Sequence, residues 1–311
     1  MNWLSDQDIA VLAATGTDAY RLAWRRGVLV ERFAAVALIS VEHPDDASPA
    51  LVAEIRERLP AVEAIYVRHL IKNPHKTDAP QLVFGAPQSP RFVVRESGLA
   101  YEVDFSVGYS CGLFLDQREN RLCLRNLLIP NCPLGRSPNG QSGLIQKFRR
   151  ILNTYAFTCA FSVAAAREGA QTLSVDIAKQ ALVRGRRNFE LNGLPLEGHR
   201  FYADDTFDVL HRLARRGEKF DAIILDPPTF SRNHAGKIFR VEGDMPALLA
   251  ASLPCLASEG SILLSTNSRS LDTSALAAIV RRVCGTCAEL TFPPRPDSGL
   301  GASTTAWLRC R

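Results

Sequence analysis

The run Asp221–Ala222–Ile223–Ile224–Leu225–Asp226–Pro227–Pro228–Thr229–Phe230 decides the fold. Its unbroken apolar stretch has the character of a strand buried on both faces of a sheet. Asp-Pro-Pro then ends it abruptly. Proline has no N–H to give to a sheet ladder, so the strand stops there and Asp226 lies at its carboxyl edge. Ligands of open α/β sheets bind outside that edge. An acidic residue, a rigid turn and an aromatic ring together suit a place where a substrate is held.

Working outward, strand and helix alternate from residue 148 onward. Strands are predicted at 150–155, 172–175, 199–203, 220–225 and 261–265, with helices at 161–167, 178–191, 207–216, 244–256 and 271–284. Asn192-Gly193 is a C-terminal stop for the second of these helices. Such alternation implies an α/β fold, a Rossmann-like, mainly parallel sheet covered on both faces. The last predicted strands, 288–292 and 304–309, suit a terminal antiparallel hairpin.

Upstream, residues 1–80 read as a small α+β N-terminal domain. A helix around 9–13 precedes strands at 19–24 and 28–40, joined through Arg25-Arg26-Gly27. Ser48 caps a helix that opens on Pro49 and runs to about Leu59, and a strand follows at 64–69. Residues 72–80 form a Pro-broken linker. Residues 81–115 read as a β-hairpin connector turning at Ser97-Gly98, and 116–311 as the main domain. The Pro/Gly/Ser-rich stretch 130–143 is expected to be an exposed loop.

Composition narrows the class. With 46% hydrophobic and 22% charged residues, the chain has the make-up of a soluble globular protein. No apolar run reaches the ~20 residues that span a bilayer. The start, Met1–Asp6, lacks the basic and apolar segments of an export signal, so a cytoplasmic location is expected. The eight cysteines are then reduced thiols. Cys284-Gly-Thr-Cys287 has no second pair at zinc-site spacing, and no metal is expected. A net charge of +5 permits a polyanionic partner without demanding one. Clusters such as Arg184/Arg186/Arg187 and Arg212/Arg215/Arg216 are compatible with nucleic acid and equally with solvated helix faces.

A nucleotide-like cofactor needs a close backbone approach after the first core strand and a carboxylate after the second. Asp176 meets the latter. Asp204 and Asp205 follow the third strand and Asp226 the fourth. One such carboxylate is often only a helix cap, but a series along one sheet edge points to a ligand. The first turn reads Tyr155-Ala156-Phe157-Thr158-Cys159-Ala160-Phe161, without glycine. Its backbone is therefore expected to keep φ negative, which would set a cofactor further out or weaken its binding.

Together these residues resemble a known family. Residues 112–311 are similar to the bacterial large-subunit (23S) rRNA methyltransferases of the RlmI/RlmK group, which are class I S-adenosylmethionine-dependent enzymes. The likeness runs through Gly112-Leu113-Phe114-Leu115-Asp116-Gln117-Arg118, Thr158, Asp176, Asn188–Gly193, Asp204-Asp205 and Asp226-Pro-Pro-Thr-Phe-Ser231. The N-terminal part resembles, more faintly, the subdomain of the RlmK branch.

The resemblance implies S-adenosyl-L-methionine as cofactor and 23S rRNA, or a large-subunit precursor, as partner. It implies cofactor contacts from Phe157, Thr158, Cys159, Ala160, Asp176, Ile177, Asp204, Asp205 and Asp226. Asp226, Pro227, Phe230 and Asn267 would form the catalytic pocket, and Asp116, Arg118 and Ser231 would position substrate, with a structural salt bridge an equal alternative for Asp116 and Arg118. A cytosine-C5 enzyme needs a cysteine nucleophile, which in that branch follows the fifth strand. Here the run is Leu264-Ser265-Thr266-Asn267-Ser268-Arg269, without cysteine, and the pattern looks like the guanine-N7 branch. Methylation of an exocyclic amine or a protein side chain, or a non-catalytic RNA-binding assembly factor, are the alternatives.

Overall fold

The computed structural model describes residues 1–70, 79–106, 110–128, 150–233, 236–268, 270–285, 288–291 and 303–310. Loop 130–143 and most of the expected linker lie outside them. The chain forms two units, with the boundary in sequence between Arg118 and Glu119.

The first unit is built on a six-stranded sheet in chain order: β1 (Asn2–Trp3), β2 (Ala19–Arg25), β3 (Val28–Phe33), β4 (Val36–Val41), β5 (Ala64–His69) and β6 (Gln81–Gly85). Helix α1 (Asp6–Ala14) follows β1, and α2 (Pro49–Arg58) carries the crossover that makes β4 and β5 the parallel pair. Ser48 caps α2 as expected, its hydroxyl accepting from the Leu51 N–H. Leu51 and Ile55 of α2 pack on Val30, Ile39, Ile65 and Val67.

Two expectations are corrected here. The single strand predicted over 28–40 is two strands, because Ala34 takes φ 54° and turns the chain back on itself. Residues 81–85 belong to the N-terminal sheet rather than to a connector, since β6 pairs with β5. The hairpin β7 (Arg91–Glu96) and β8 (Leu99–Asp104) turns at Ser97-Gly98, both with positive φ, as a tight two-residue hairpin turn requires.

Beneath the sheet of the first unit lies a buried ionic cluster. Glu31 sits 3.6 Å from both Arg21 and Arg68, and Arg21 is 3.7 Å from Asp116. Arg68 also donates to the Ser40 hydroxyl at 2.8 Å. Helix α3 (Arg118–Leu128) begins at the unit boundary.

The second unit alternates as predicted: β9 (Arg150–Thr154), α4 (Ala160–Arg167), β10 (Gln171–Asp176), α5 (Lys179–Leu191), β11 (Arg200–Ala203), α6 (Thr206–Arg215) and β12 (Phe220–Leu225). After β12 come β13 (Phe230–Arg232), β14 (Ile238–Arg240), α7 (Val241–Ser252), β15 (Leu256–Thr266), α8 (Thr273–Cys284), β16 (Ala288–Thr291) and β17 (Thr304–Cys310). The sheet order is β11-β10-β9-β12-β15-β17-β16, parallel except for β17, which runs antiparallel to both neighbours. Alternate residues face opposite layers. Leu152, Ile223, Leu225, Ile262 and Leu264 meet α6, α7 and α8, whereas Ile151, Ala222, Ile224 and Leu263 meet α3 and α4. Burying each Ile or Leu contributes roughly 1.5–3 kcal/mol, which fixes this register firmly.

The helix predicted over 244–256 is displaced upstream. Asp244 reaches back to accept the Arg240 N–H at 2.7 Å, so the helix starts earlier, and Pro254 breaks it into a short 3₁₀ turn, Leu253–Cys255. The pair β13–β14 is new relative to the sequence reading. The chain reverses direction on the two sides of β9, since β10 lies to one side and β12 to the other; such a switch point opens a crevice at the carboxyl ends.

Substituting Glu31 by Ala should lower the stability of the first unit by about 3 kcal/mol in urea unfolding, because two buried guanidiniums lose their shared carboxylate.

Candidate active site

The crevice is bounded first by the turn after β9. Tyr155, Phe157 and Cys159 all take positive φ, at 52°, 46° and 61°. The expectation of negative φ is thus wrong, and the physical reason lies in the bonds that hold the turn. Asp176, at the tip of β10, accepts the Phe157 N–H on one carboxylate oxygen and the Ala178 N–H on the other, both at 2.8 Å. Asn188 of α5, fully buried, donates from its side-chain amide to the Thr158 carbonyl at 2.9 Å. The Ala156 N–H bonds the Val175 carbonyl and the Cys159 N–H the Ala156 carbonyl. A non-glycine residue in the left-handed region costs on the order of 1 kcal/mol, and these bonds offset that strain.

The backbone therefore follows a glycine-like path with side chains present. The Cys159 side chain is fully buried and packs against Gly185 of α5, where an added Cβ would overlap its sulfur. Burial pushes this thiol up to about 12, so it is no thiolate at neutral pH. Below the turn runs a buried chain of hydrogen bonds, Asn153 to Ser162 at 2.9 Å and Ser162 to Ser174 at 2.8 Å.

Burial raises the Asp176 carboxyl above its ordinary value, against the two backbone donors that lower it. Ile177 beside it is half-buried, and Thr158 is buried. After β11 the two acids divide. Asp205 caps α6 through the Phe207 and Asp208 N–H groups and accepts from Asn233 at 3.0 Å. Asp204 pairs with Arg212 at 2.6 Å and accepts the Asp205 N–H. Both acids are half-buried, and Asp204 is the one paired with an arginine.

Asp226 is half-buried at the end of β12, Pro227 is buried, and Pro228, Thr229 and Phe230 are exposed. Phe230 and the half-buried Ser231 belong to β13. Asn267 is exposed just past β15, the strand paired to β12. Glu242 at the start of α7 accepts from Ser268 at 2.6 Å and Ser270 at 3.0 Å, which fixes the loop carrying Asn267 and lowers the Glu242 pKa. Asp116 and Arg118, expected to position substrate, fall in the first unit, where Asp116 takes part in the buried cluster with Arg21 and Arg118 is itself buried. Cys287 lies outside the described residues.

Several contributors went unassigned in the sequence. Tyr155 and Phe207 both approach the Phe239 ring, at 5.8 and 6.3 Å between centroids. Asn233 ties the β13–β14 turn to Asp205. Asn188 and Gly185 support the first turn from α5. Asn188 carried a sequence signal as the first residue of its Asn-Phe-Glu-Leu-Asn-Gly run.

A cradle of left-handed backbone beside the half-buried Asp176 carboxylate, with the Cys159 thiol packed on Gly185, suits the polar donors and acceptors of an adenosyl group. A family model described as S-adenosylmethionine-dependent methyltransferase matches residues 22–282. Ribosomal RNA large subunit methyltransferase I of Escherichia coli O139:H28 is 30% identical over 286 residues, covering 88% of this chain and 65% of that protein. YwbD of Bacillus subtilis (strain 168), named as a candidate ribosomal RNA large subunit methyltransferase, is 36% identical over 177 residues, 57% of this chain and 40% of its own. The chain spans 40% to 65% of the length of such curated relatives. Among solved structures, SMU.776, described as a candidate methyltransferase complexed with SAH, superposes with a TM-score of 0.78 at 26% identity. That match covers 97% of this chain and 77% of the other.

Replacing Gly185 by Ala should destabilise the second unit by about 1–3 kcal/mol through overlap with Cys159. The same change in a Cys159→Gly background should cost much less, and a double-mutant cycle by thermal unfolding measures the difference.

Proposed function

The chain belongs to the S-adenosylmethionine-dependent methyltransferases, and on that premise we propose that it methylates a base of large-subunit ribosomal RNA, with guanine N7 the favoured atom. The observation that carries this is the edge formed by Asp176, Asp204 and Asp226 around a first turn whose backbone is already left-handed. In this reading Asp176 accepts from the ribose hydroxyls, Asp204 faces the adenine amino group, and the backbone of 157–160 lines the methionine part. When bound, S-adenosylmethionine supplies an electrophilic sulfonium methyl.

This chain's residues supply position. Asp226 and Pro227 shape the base pocket, Phe230 offers an exposed ring for stacking, and Asn267 orients the base edge. A ring nitrogen such as guanine N7 has an in-plane lone pair and no proton to lose, so alignment alone goes far towards lowering its barrier. The cysteines favour the same choice. Neither Asp226–Ser231 nor Thr266–Ser268 contains one. Cys255 is buried with its thiol on the Leu210 carbonyl, and Cys159 is held protonated. Carbon-5 methylation of cytosine, which needs a thiolate, has no nucleophile in this edge. The left-handed turn also removes the reason for a non-catalytic reading, which rested on the missing glycines. The E. coli and B. subtilis relatives are named for large-subunit ribosomal RNA; the substrate is carried over from them, and a cytoplasmic location goes with it. Among the described residues no helix is long and apolar enough to cross a membrane.

Mass spectrometry of nucleosides from the large-subunit RNA of a deletion strain should reveal one missing methylated base, 7-methylguanosine, restored by the intact gene. An unchanged set of marks would contradict the proposal. Asp176→Ala should weaken binding of S-adenosylhomocysteine by about 1–3 kcal/mol in calorimetry. Because the Asp176 pKa is raised in the folded protein, its ionised form is lost early on acidification. Affinity should therefore begin to fall at a pH above 3.8, its ordinary value, and Asp176→Asn should flatten that dependence.

A further inference from the structure

We propose that the outward face of the β13–β14 ribbon is a platform for unpaired RNA next to the target nucleotide, an inference that rests on the methyltransferase reading above. The ribbon's register pairs Phe230 with Arg240 and Arg232 with Ile238. Side chains directly opposite in a sheet share a face, so these four lie on one side and Ser231 and Phe239 on the other. The inner side is occupied: Phe239 is buried against Tyr155 and Phe207. On the outer side Phe230 is 45% and Ile238 41% exposed, and both arginines are exposed.

An exposed apolar residue alone is ordinary, and a ribbon this short has little to cover it. The pattern is what carries meaning here. Two apolar groups alternate with two guanidiniums across a two-by-two patch, and the Arg240 guanidinium lies 5.2 Å from the Phe230 ring centroid. The nearby carboxylates have partners of their own: Glu242 accepts from Ser268 and Ser270 and also attracts Arg240, Asp244 accepts the Arg240 N–H, and Asp205 accepts from Asn233 and caps α6. The four residues of the patch carry two guanidinium groups and no carboxylate.

A protein partner would need a larger apolar area than two side chains provide. A nucleic acid strand fits instead. Unstacked bases meet flat apolar groups while the phosphates between them meet arginines, the arrangement of single-strand binding surfaces. A step of two residues along a strand advances about 7 Å, enough to separate one base contact from the next. Bases within a duplex hide their faces, so the platform selects RNA that is single-stranded beside the target. Phe230 begins the platform directly after Asp-Pro-Pro-Thr. The target nucleotide and its neighbour are then held by one continuous element, and Asn233 anchors that element to Asp205.

The test uses the full chain and a fluorescent single-stranded oligoribonucleotide of mixed sequence, with the same sequence as a duplex, in anisotropy titrations across salt. Wild-type protein should prefer the single strand. Arg232→Ala should weaken that binding about fivefold and reduce the salt slope by roughly 0.7, one phosphate contact. Ile238→Ser should weaken it with the slope unchanged. Calorimetry with S-adenosylhomocysteine should give wild-type affinity for both variants, which shows that they are folded. Equal binding of duplex and single strand by the wild type, or unaltered RNA binding by both variants, would overturn the platform. Failure of the wild type to bind S-adenosylhomocysteine would instead count against the methyltransferase reading, while the platform is still judged by the RNA titrations.

Discussion

The grip of one carboxylate on two backbone N–H groups holds the site together. Asp176 spans the turn after β9 and the turn after its own strand, at 2.8 Å to each donor. That bridge pins the Phe157 N–H and so helps to hold the left-handed path through Thr158 and Cys159. Asn188 supplies the complementary pull from α5 on the Thr158 carbonyl. A cradle commonly made by glycine is made here by tertiary hydrogen bonds. The consequence is a coupling between distant positions: the Cys159 sulfur occupies space that only a glycine at 185 leaves open.

The same bridge links strain to electrostatics. A carboxylate withdrawn from water is costly to ionise, yet two backbone donors lower that cost. An arrangement of this kind is ready to accept from further hydroxyls, because each carboxylate oxygen still has acceptor capacity after one bond. The acids after β11 show how similar residues part company. Asp205 is spent on capping α6, while Asp204 balances Arg212 at the edge.

Much of this was legible in the sequence for plain reasons. The buried parallel strand β12 reads as an unbroken apolar run, its end is dictated by Pro227-Pro228, and the carboxylates Asp176, Asp204 and Asp226 stand just where strands must stop. The hidden features were those set by contacts remote in sequence. Left-handed φ at Tyr155, Phe157 and Cys159 contradicts local preference and goes with tertiary hydrogen bonds to the turn from Asp176, Asn188 and Val175. The β13–β14 ribbon has three-residue strands, too short for a period-two pattern to declare itself, although Asn233 and the positive-φ Gly236 carried turn chemistry. For Asp116 the motif left two readings open, a brace of the site or a structural salt bridge, and Asp116 lies 3.7 Å from Arg21 within the first unit.

A crystal structure of the protein grown with S-adenosylhomocysteine tests the central claim most directly. The account predicts the ribose hydroxyls on the free lone pairs of Asp176, the homocysteine tail along the 157–160 backbone, and the Cys159 sulfur still packed on Gly185. A ligand bound away from Asp176, or a first turn that must rebuild with negative φ to admit it, would contradict the account.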